Sequence, residues 1–231
     1  MITGTLINVG AIILGSIIGI ILNKGLPKNI NSIIFQALGL FSIFLGISLA
    51  FETNNNFLII CMALIIGGVL GEVFQLAIRT ENLSDLLKKR INNSNPKFTE
   101  GLITATMIFS VGSMAIIGPL NEALKGDATL VLTKSMMDGV TSIALSAAFG
   151  RGVIFSAIPV LIIQGGIGLG ANGLQSFFSD TLVAEISAVG GILILGIGIS
   201  ILEIKKINVI NLLPSMFVVI PLFYLINLKV I

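Results

Sequence analysis

The chain has 231 residues, 55% hydrophobic and 10% charged, with a mean hydropathy of +1.08 and a formal net charge of +2. A soluble domain carries about 25% charged residues and interrupts its apolar runs, so a soluble globule around one core is excluded. The absence of histidine and the presence of one cysteine, Cys61, exclude His-based metal sites, Ser-His triads, histidine proton relays and intrachain disulfides.

Apolar segments near the roughly 20 residues that a spanning helix needs recur along the whole length. A membrane barrel would show short alternating segments instead. The expected fold class is all-α: a polytopic helical membrane protein of about eight transmembrane helices, forming a single transmembrane domain over residues 1–231. In chain order the spans are Gly4–Leu22, Ser32–Phe51, Phe57–Ile78, Gly101–Leu120, Thr129–Phe149, Val153–Gly170, Leu182–Leu202 and Val209–Leu228. No Lys or Arg precedes the first span, so it lacks the charged start of a cleavable signal peptide and is expected to be retained.

The basic residues orient these spans. With the N-terminus outside, Lys24 and Lys28 fall in the first inner loop, and Arg79, Lys88, Lys89, Arg90 and Lys97 in the second. Arg151 lies in the third, and Lys205 and Lys206 in the fourth. Lys125 and Lys229 fall outside, and Lys134 lies within a span. Cytoplasmic loops carry the excess of Lys and Arg, so both termini are expected outside. The long polar connection Thr80–Thr99 has room for a short helix, Asp85–Ile91, capped by Ser84. It reads either as an interfacial helix on anionic lipid or as an ordinary cytoplasmic loop.

The second span contains Gly39-Leu-Phe-Ser-Ile-Phe-Leu-Gly46-Ile47-Ser48, and the seventh contains Gly191-Ile-Leu-Ile-Leu-Gly-Ile-Gly198-Ile199-Ser200. The two glycines are spaced identically. Gly15-x-x-x-Gly19 in the first span answers Gly166-x-x-x-Gly170 in the sixth at nearly the same offset. Spans 1–3 and 6–8 therefore read as internal repeats, about residues 4–78 and 152–228, flanking central spans over 101–150. A shift of five spans inverts one copy, an architecture of secondary transporters that puts the substrate near the midplane. Ordinary small-residue helix packing gives the same glycines. The small face Gly39, Ser42 and Gly46 would also serve a homodimer.

The fifth span carries the chemistry. Lys134, Ser135, Asp138, Thr141, Ser142 and Ser146 recur at helical spacing and form one stripe. An ionisable group at the bilayer centre costs roughly 2.5–3.5 kcal/mol on insertion scales and defaults to function. Asp138 is the candidate cation or proton site, with Lys134, four residues away, as its competitor or tether. The alternative is a structural ion pair whose neighbouring hydroxyls bond to their own backbone. In the fourth span Thr106, Ser110 and Ser113 share a face and are candidates to complete the site opposite Asp138. A helix break at Gly118 and Pro119 would free carbonyls for a cation, and Glu122, Lys125 and Asp127 follow as outer-surface charges around a vestibule, with Glu122 counted among the candidate substrate- or ion-binding residues. Glu72 and Gln75 sit toward the inner end of the third span, where Glu72 reads either as a substrate- or ion-binding carboxylate or as a charge that reaches the interface. Asn8, Gln36 and Gln164 are single intramembrane amides, read as interhelical hydrogen bonds. Gly168-Leu-Gly170-Ala-Asn-Gly173 fits a dinucleotide pattern but closes a membrane span instead of joining a strand to a helix.

The stretch Val111-Gly-Ser-Met-Ala-Ile-Ile-Gly-Pro119-Leu-Asn-Glu122-Ala-Leu-Lys-Gly-Asp127, followed by Lys134-Ser-Met-Met-Asp138-Gly-Val-Thr-Ser142, resembles the core of a bacterial membrane family, domain of unknown function 554. Members are sometimes labelled transport proteins. The resemblance covers essentially the whole chain and implies an integral protein of the bacterial inner membrane, with no substrate attached.

The function expected is secondary transport of a small ion or small cationic solute, with Asp138 as the site. An ion channel, or a non-transporting membrane subunit with a structural Lys134–Asp138 pair, are the alternatives. Neither an enzyme nor a cofactor or metal site is expected. The partners are the bilayer and the solute, with no nucleic acid.

Overall fold

The computed structural model describes residues 2–23, 27–53, 56–90, 95–175 and 177–227. Among these the secondary structure is entirely helical. The α-helices are α1 (Thr3–Asn23), α2 (Lys28–Ala50), α3 (Phe57–Val73), α4 (Leu76–Arg90), α5 (Phe98–Ser110), α6 (Ser113–Lys125), α7 (Thr129–Phe149), α8 (Ala157–Leu169), α9 (Ala171–Leu174), α10 (Asp180–Ile201), α11 (Val209–Leu212) and α12 (Ser215–Asn227). Five stretches are long and apolar enough to cross a membrane, or up to seven if each of two bent pairs is one span.

The chain divides into two compact units, residues 1–38 with 94–178 and residues 39–93 with 179–231. In the first unit α1 lies along α7 in the same direction. Gly4 meets Val131, Ala11 meets Gly139, and Gly19 meets the Ile143 carbonyl. Gly15 lies so close to the Gly139 carbonyl and the Ser142 hydroxyl that a Cβ there would overlap both. This is the close backbone approach that small residues permit between membrane helices. A 3-10 segment, Gly150–Ser156, then turns the chain, with Gly101 against Phe149 and Gly152 against the backbone of Phe98. α8 runs back until Gly168 reaches Ile2 and Pro119. The continuous apolar stretch Thr129–Leu169 is thus two antiparallel passes, which is how 41 residues fit a core that about 20 cross.

In the second unit α10 packs antiparallel on the later part of α2. Gly46 meets the backbone of Gly191 and Leu195, and Gly198 meets the carbonyl of Gly39. Ser42 is fully buried there. The small-residue face expected to be open for a homodimer is therefore covered by α10 of the same chain. α3 packs on α11 and α12, with Gly67 on Ser215 and Gly71 on Asn211.

Three local expectations are corrected. The third span ends at Val73 and bends by 57° into α4, through Gln75 at φ 52°. α4 begins before Ser84, which is buried inside the helix and does not cap it. Ile91, the expected end of that short helix, lies outside the described residues. The break in the fourth span falls at Gly112, not at Gly118 and Pro119. Gly112 adopts φ 110° and ψ 153°, a region that only glycine occupies readily, and the chain bends there by 57°. α6 runs on through Pro119, as membrane helices tolerate when neighbours satisfy the freed carbonyl.

The faces of α7 are inverted relative to a helix on a soluble protein. On α7, Met136 is 77% and Val140 70% exposed, while Lys134 and Asp138 on the opposite face are 6% and 5% exposed. An apolar side facing outward and a polar side facing inward suit a lipid surround.

Candidate functional site

The geometry of α7 starts from its N-terminus. Asp127, exposed in the preceding loop, accepts the Thr129 amide at 3.0 Å. Hydrogen bonding from Thr129, side chain and backbone, holds its carboxyl below the ordinary value. Val131, Lys134, Ser135, Asp138 and Ser142 then follow on one buried face.

Lys134 Nζ donates to Asp138 Oδ2 at 2.5 Å. The same carboxylate oxygen accepts Asn8 Nδ2 of α1 at 3.0 Å, and Asn8 Nδ2 also donates to Gln164 Oε1 of α8 at 3.1 Å. Asn8 and Gln164 are fully buried. The carboxylate as acceptor fixes which way the Asn8 amide faces. α1 thus meets Asp138 directly and α8 joins through Asn8, and the cluster still holds spare capacity. Asn8 Oδ1 and Gln164 Nε2 are buried without a hydrogen-bond partner, and such atoms cost roughly 1–3 kcal/mol each.

The rest of the polar stripe does less than its spacing promised. Ser135 donates to the Val131 carbonyl and Ser142 to the Gly139 carbonyl, both at 2.7 Å within α7. Thr141 is half-buried. Ser110 ends α5 with its hydroxyl buried and unpartnered, and Ser113 begins α6 beyond the Gly112 break. Neither bonds to Asp138, whose partners are Asn8 of α1 and Lys134 of α7 itself. Glu122 is not an outer-surface charge. It is 6% exposed in α6, its Oε1 accepts the Gly4 amide at 2.9 Å, and its Oε2 has no partner.

In the second unit Glu72 is exposed and accepts Asn211 Nδ2 at 2.5 Å, while Asn211 Oδ1 accepts the Ala77 amide at 2.8 Å. This pins the α3–α4 bend to α11. Glu185, which nothing in the sequence had singled out, is fully buried in α10. It accepts Thr53 Oγ1 at 2.8 Å and Asn56 Nδ2 at 2.9 Å. Its signal was available: a carboxylate inside the second turn of an apolar helix. An apolar groove in the same unit, lined by Phe51, Phe57, Cys61, Leu64 and Ile192, brings no charge to any of these groups. No group of three or more Cys, Asp or Glu side chains that could hold a metal occurs among the described residues.

Residues 3–224 match the family described as "Protein of unknown function (DUF554)". The chain belongs to that family. Within the family's reach lies "Uncharacterized membrane protein YdfK" of Bacillus subtilis (strain 168), 41% identical over 218 residues and 93% of each chain. "Uncharacterized protein YqgA" of Escherichia coli (strain K12) is 29% identical over 229 residues and 96% of each chain. No solved structure matches. The family match spans both compact units, and with it every residue of the Asp138 cluster.

Proposed function

We propose that the protein is a small secondary transporter of the bacterial inner membrane, with Asp138 binding a cation or a small cationic solute. The observation that carries this reading is the convergence of Asn8 and Lys134 on one buried carboxylate, with Gln164 bonded behind Asn8 and two polar atoms left over. Buried polar groups are normally satisfied, and the exceptions need a reason. A site that holds its ligand only part of the time supplies one. Lys134 acts as the resident counter-ion that an incoming cation displaces.

The helix pattern supports a scaffold of two inverted halves. The same interval, 152 residues, separates the starts of α2 and α10 (Lys28, Asp180) and of α3 and α11 (Phe57, Val209). Gly39 and Gly191, and Gly46 and Gly198, stand at that interval too, and Gly39 packs on Gly198 as Gly46 packs on Gly191. A two-fold exchange of the halves maps each of these contacts onto the other. The two amides of the cluster, Asn8 on Asp138 and Gln164 on Asn8, come from the first helix of each half, α1 and α8, which is where such folds put a midplane site. We infer eight crossings, because the stretch Thr129–Leu169 folds back on itself, and both termini outside by the distribution of Lys and Arg.

A second reading has one observation in its favour. Ser135 and Ser142 spend their hydroxyls on their own helix, as they would beside a purely structural ion pair in a non-transporting subunit. Thermal stabilisation of the purified protein by a panel of cations, amines and amino acids separates the two. Ligands that stabilise the wild type and not Asp138→Asn support transport. No stabilisation by any of them, with Asp138→Asn merely less stable, favours the subunit.

A further inference from the structure

α4 leaves the third span in a direction that the fold holds. α3 ends at Val73, the backbone turns through Gln75 at φ 52°, and α4 continues at 57° to α3. Asn211 of α11 donates to Glu72 and accepts the Ala77 amide. One side chain thus ties the last turn of α3 to the first turn of α4.

The lengths set a depth. The 17 residues of α3 rise about 26 Å and the 15 of α4 about 22 Å. The bend of 57° leaves about 12 Å of α4 along the α3 axis, so Arg90 stands about 38 Å from Phe57. A hydrocarbon core is about 30 Å thick, and each headgroup layer adds about 5–8 Å. On that scale Leu83 and Leu86, in the middle of α4, lie at the edge of the core, and Arg90 lies among the headgroups.

The faces of α4 suit that depth. Arg79, Leu83, Leu86 and Arg90 stand at i, i+4, i+7 and i+11 and form one stripe. All four are exposed, Leu83 by 61% and Leu86 by 64%. A second stripe, Ala77, Thr80, Ser84 and Leu87, is buried at Ser84 and half-buried elsewhere. The carboxylates Glu81 and Asp85 lie away from the arginines around the helix, and Asp85 holds Lys88 at 3.0 Å. Among the described residues neither Arg79 nor Arg90 enters an ion pair. Exposed leucines scattered singly need no explanation, but two leucines between two arginines on one stripe fit a boundary layer. There the leucines meet lipid chains, the arginine stems lie along apolar surface, and the guanidinium forks reach phosphate oxygens.

We propose that the stripe Arg79, Leu83, Leu86 and Arg90 is a docking surface for anionic phospholipid, with the leucines at the chain boundary and the arginines on the headgroup phosphates. A zwitterionic headgroup brings its own cation to its phosphate, and an anionic one leaves that place to the arginines. Four basic against two acidic side chains on α4 favour the same partner. The topology inferred above makes this the inner leaflet. The proposal stands apart from any solute at Asp138.

Nanodiscs holding the full chain test it. In a Cys61→Ala background, an environment-sensitive dye on Leu86→Cys should emit as in an apolar medium and be quenched by a nitroxide on a lipid chain. The same dye on Asp85→Cys should be quenched by aqueous iodide instead. A Leu86→Cys dye as open to iodide as the Asp85→Cys dye overturns the placement. The headgroup is read by putting the nitroxide on phosphatidylglycerol or on phosphatidylcholine, each as a minor component of a phosphatidylcholine disc. A basic side chain near the surface is worth about fivefold, so phosphatidylglycerol should quench the Leu86→Cys dye at a fraction at least about fivefold lower. Arg79→Gln/Arg90→Gln should abolish that preference. Equal quenching by the two lipids, or a preference that survives the double replacement, overturns the proposal. If the double variant does not fold, Arg90→Gln alone decides: a lowered preference supports the docking surface and an unchanged one overturns it.

Discussion

Replacing Lys134 by Met strips the Asp138 carboxylate of an ammonium 2.5 Å away while leaving it buried. Replacing Asp138 by Asn strands the ammonium in the same way. Removing one partner of a buried pair costs about 3–5 kcal/mol, chiefly because the other charge is left uncompensated. In a protein of this length each kcal/mol moves Tm by about 2–4 °C, so each single variant should melt roughly 6–20 °C below the wild type. The double variant Lys134→Met/Asp138→Asn removes both charges and keeps an amide that Asn8 can still bond. Replacing a whole buried pair is often near neutral, so the double variant should lie within about 2 kcal/mol of the wild type. The assay is unfolding in detergent of all four proteins, read as a double-mutant cycle. Single-variant costs that add within about 0.5 kcal/mol would show two independent side chains and refute the coupled pair. The same four proteins separate function from scaffold. If the double variant is stable and still active, the pair is structural.

Asn8→Leu should destabilise by roughly 2–4 kcal/mol in the same unfolding assay, since it removes a charged hydrogen bond and leaves the Gln164 carbonyl unpaired. It should also weaken any ligand response of Asp138. Gly15→Leu should cost about 1–3 kcal/mol or more through overlap with the Gly139 backbone. Its repeat counterpart Gly166, with nothing within 4 Å of a built Cβ, should accept Ala within about 0.5 kcal/mol. In a Cys61→Ala background, Lys125→Cys should react with an impermeant maleimide on intact cells, and Lys206→Cys only after permeabilisation. Labelling of Lys206→Cys from outside would break the eight-crossing topology.

Much of the scaffold was legible because bilayer thickness and loop charge act on contiguous sequence. The fifth span was expected at Thr129–Phe149, and α7 has those bounds. Lys134 and Asp138 were legible as a pair for the same reason, being one turn apart on one helix. Their other partners were not. Asn8 is 130 residues from Asp138 and 156 from Gln164, and a lone amide in an apolar run gives no sign of which helix it will meet. Glu122 reads from sequence as an outer-surface charge, though a candidate binding residue, because it follows Gly118 and Pro119, where a bend or unwinding is expected. The chain bends instead at Gly112, where the backbone needs a positive φ, and α6 carries Glu122 inward. The Gly39–Ser42–Gly46 face looked free for a second copy because helix periodicity shows that a face is small, not what covers it.

If a cation passes through Asp138, its flux requires that carboxylate. Flux of Na+, K+ and small organic cations into vesicles containing the full chain, with Asp138→Asn and empty vesicles beside it, tests this most directly. Saturable uptake of at least one cation by the wild type, with Asp138→Asn folded and indistinguishable from empty vesicles, is the expected result. Uptake by folded Asp138→Asn at the wild-type rate would contradict it, and a wild-type flux that never saturates would point to a channel.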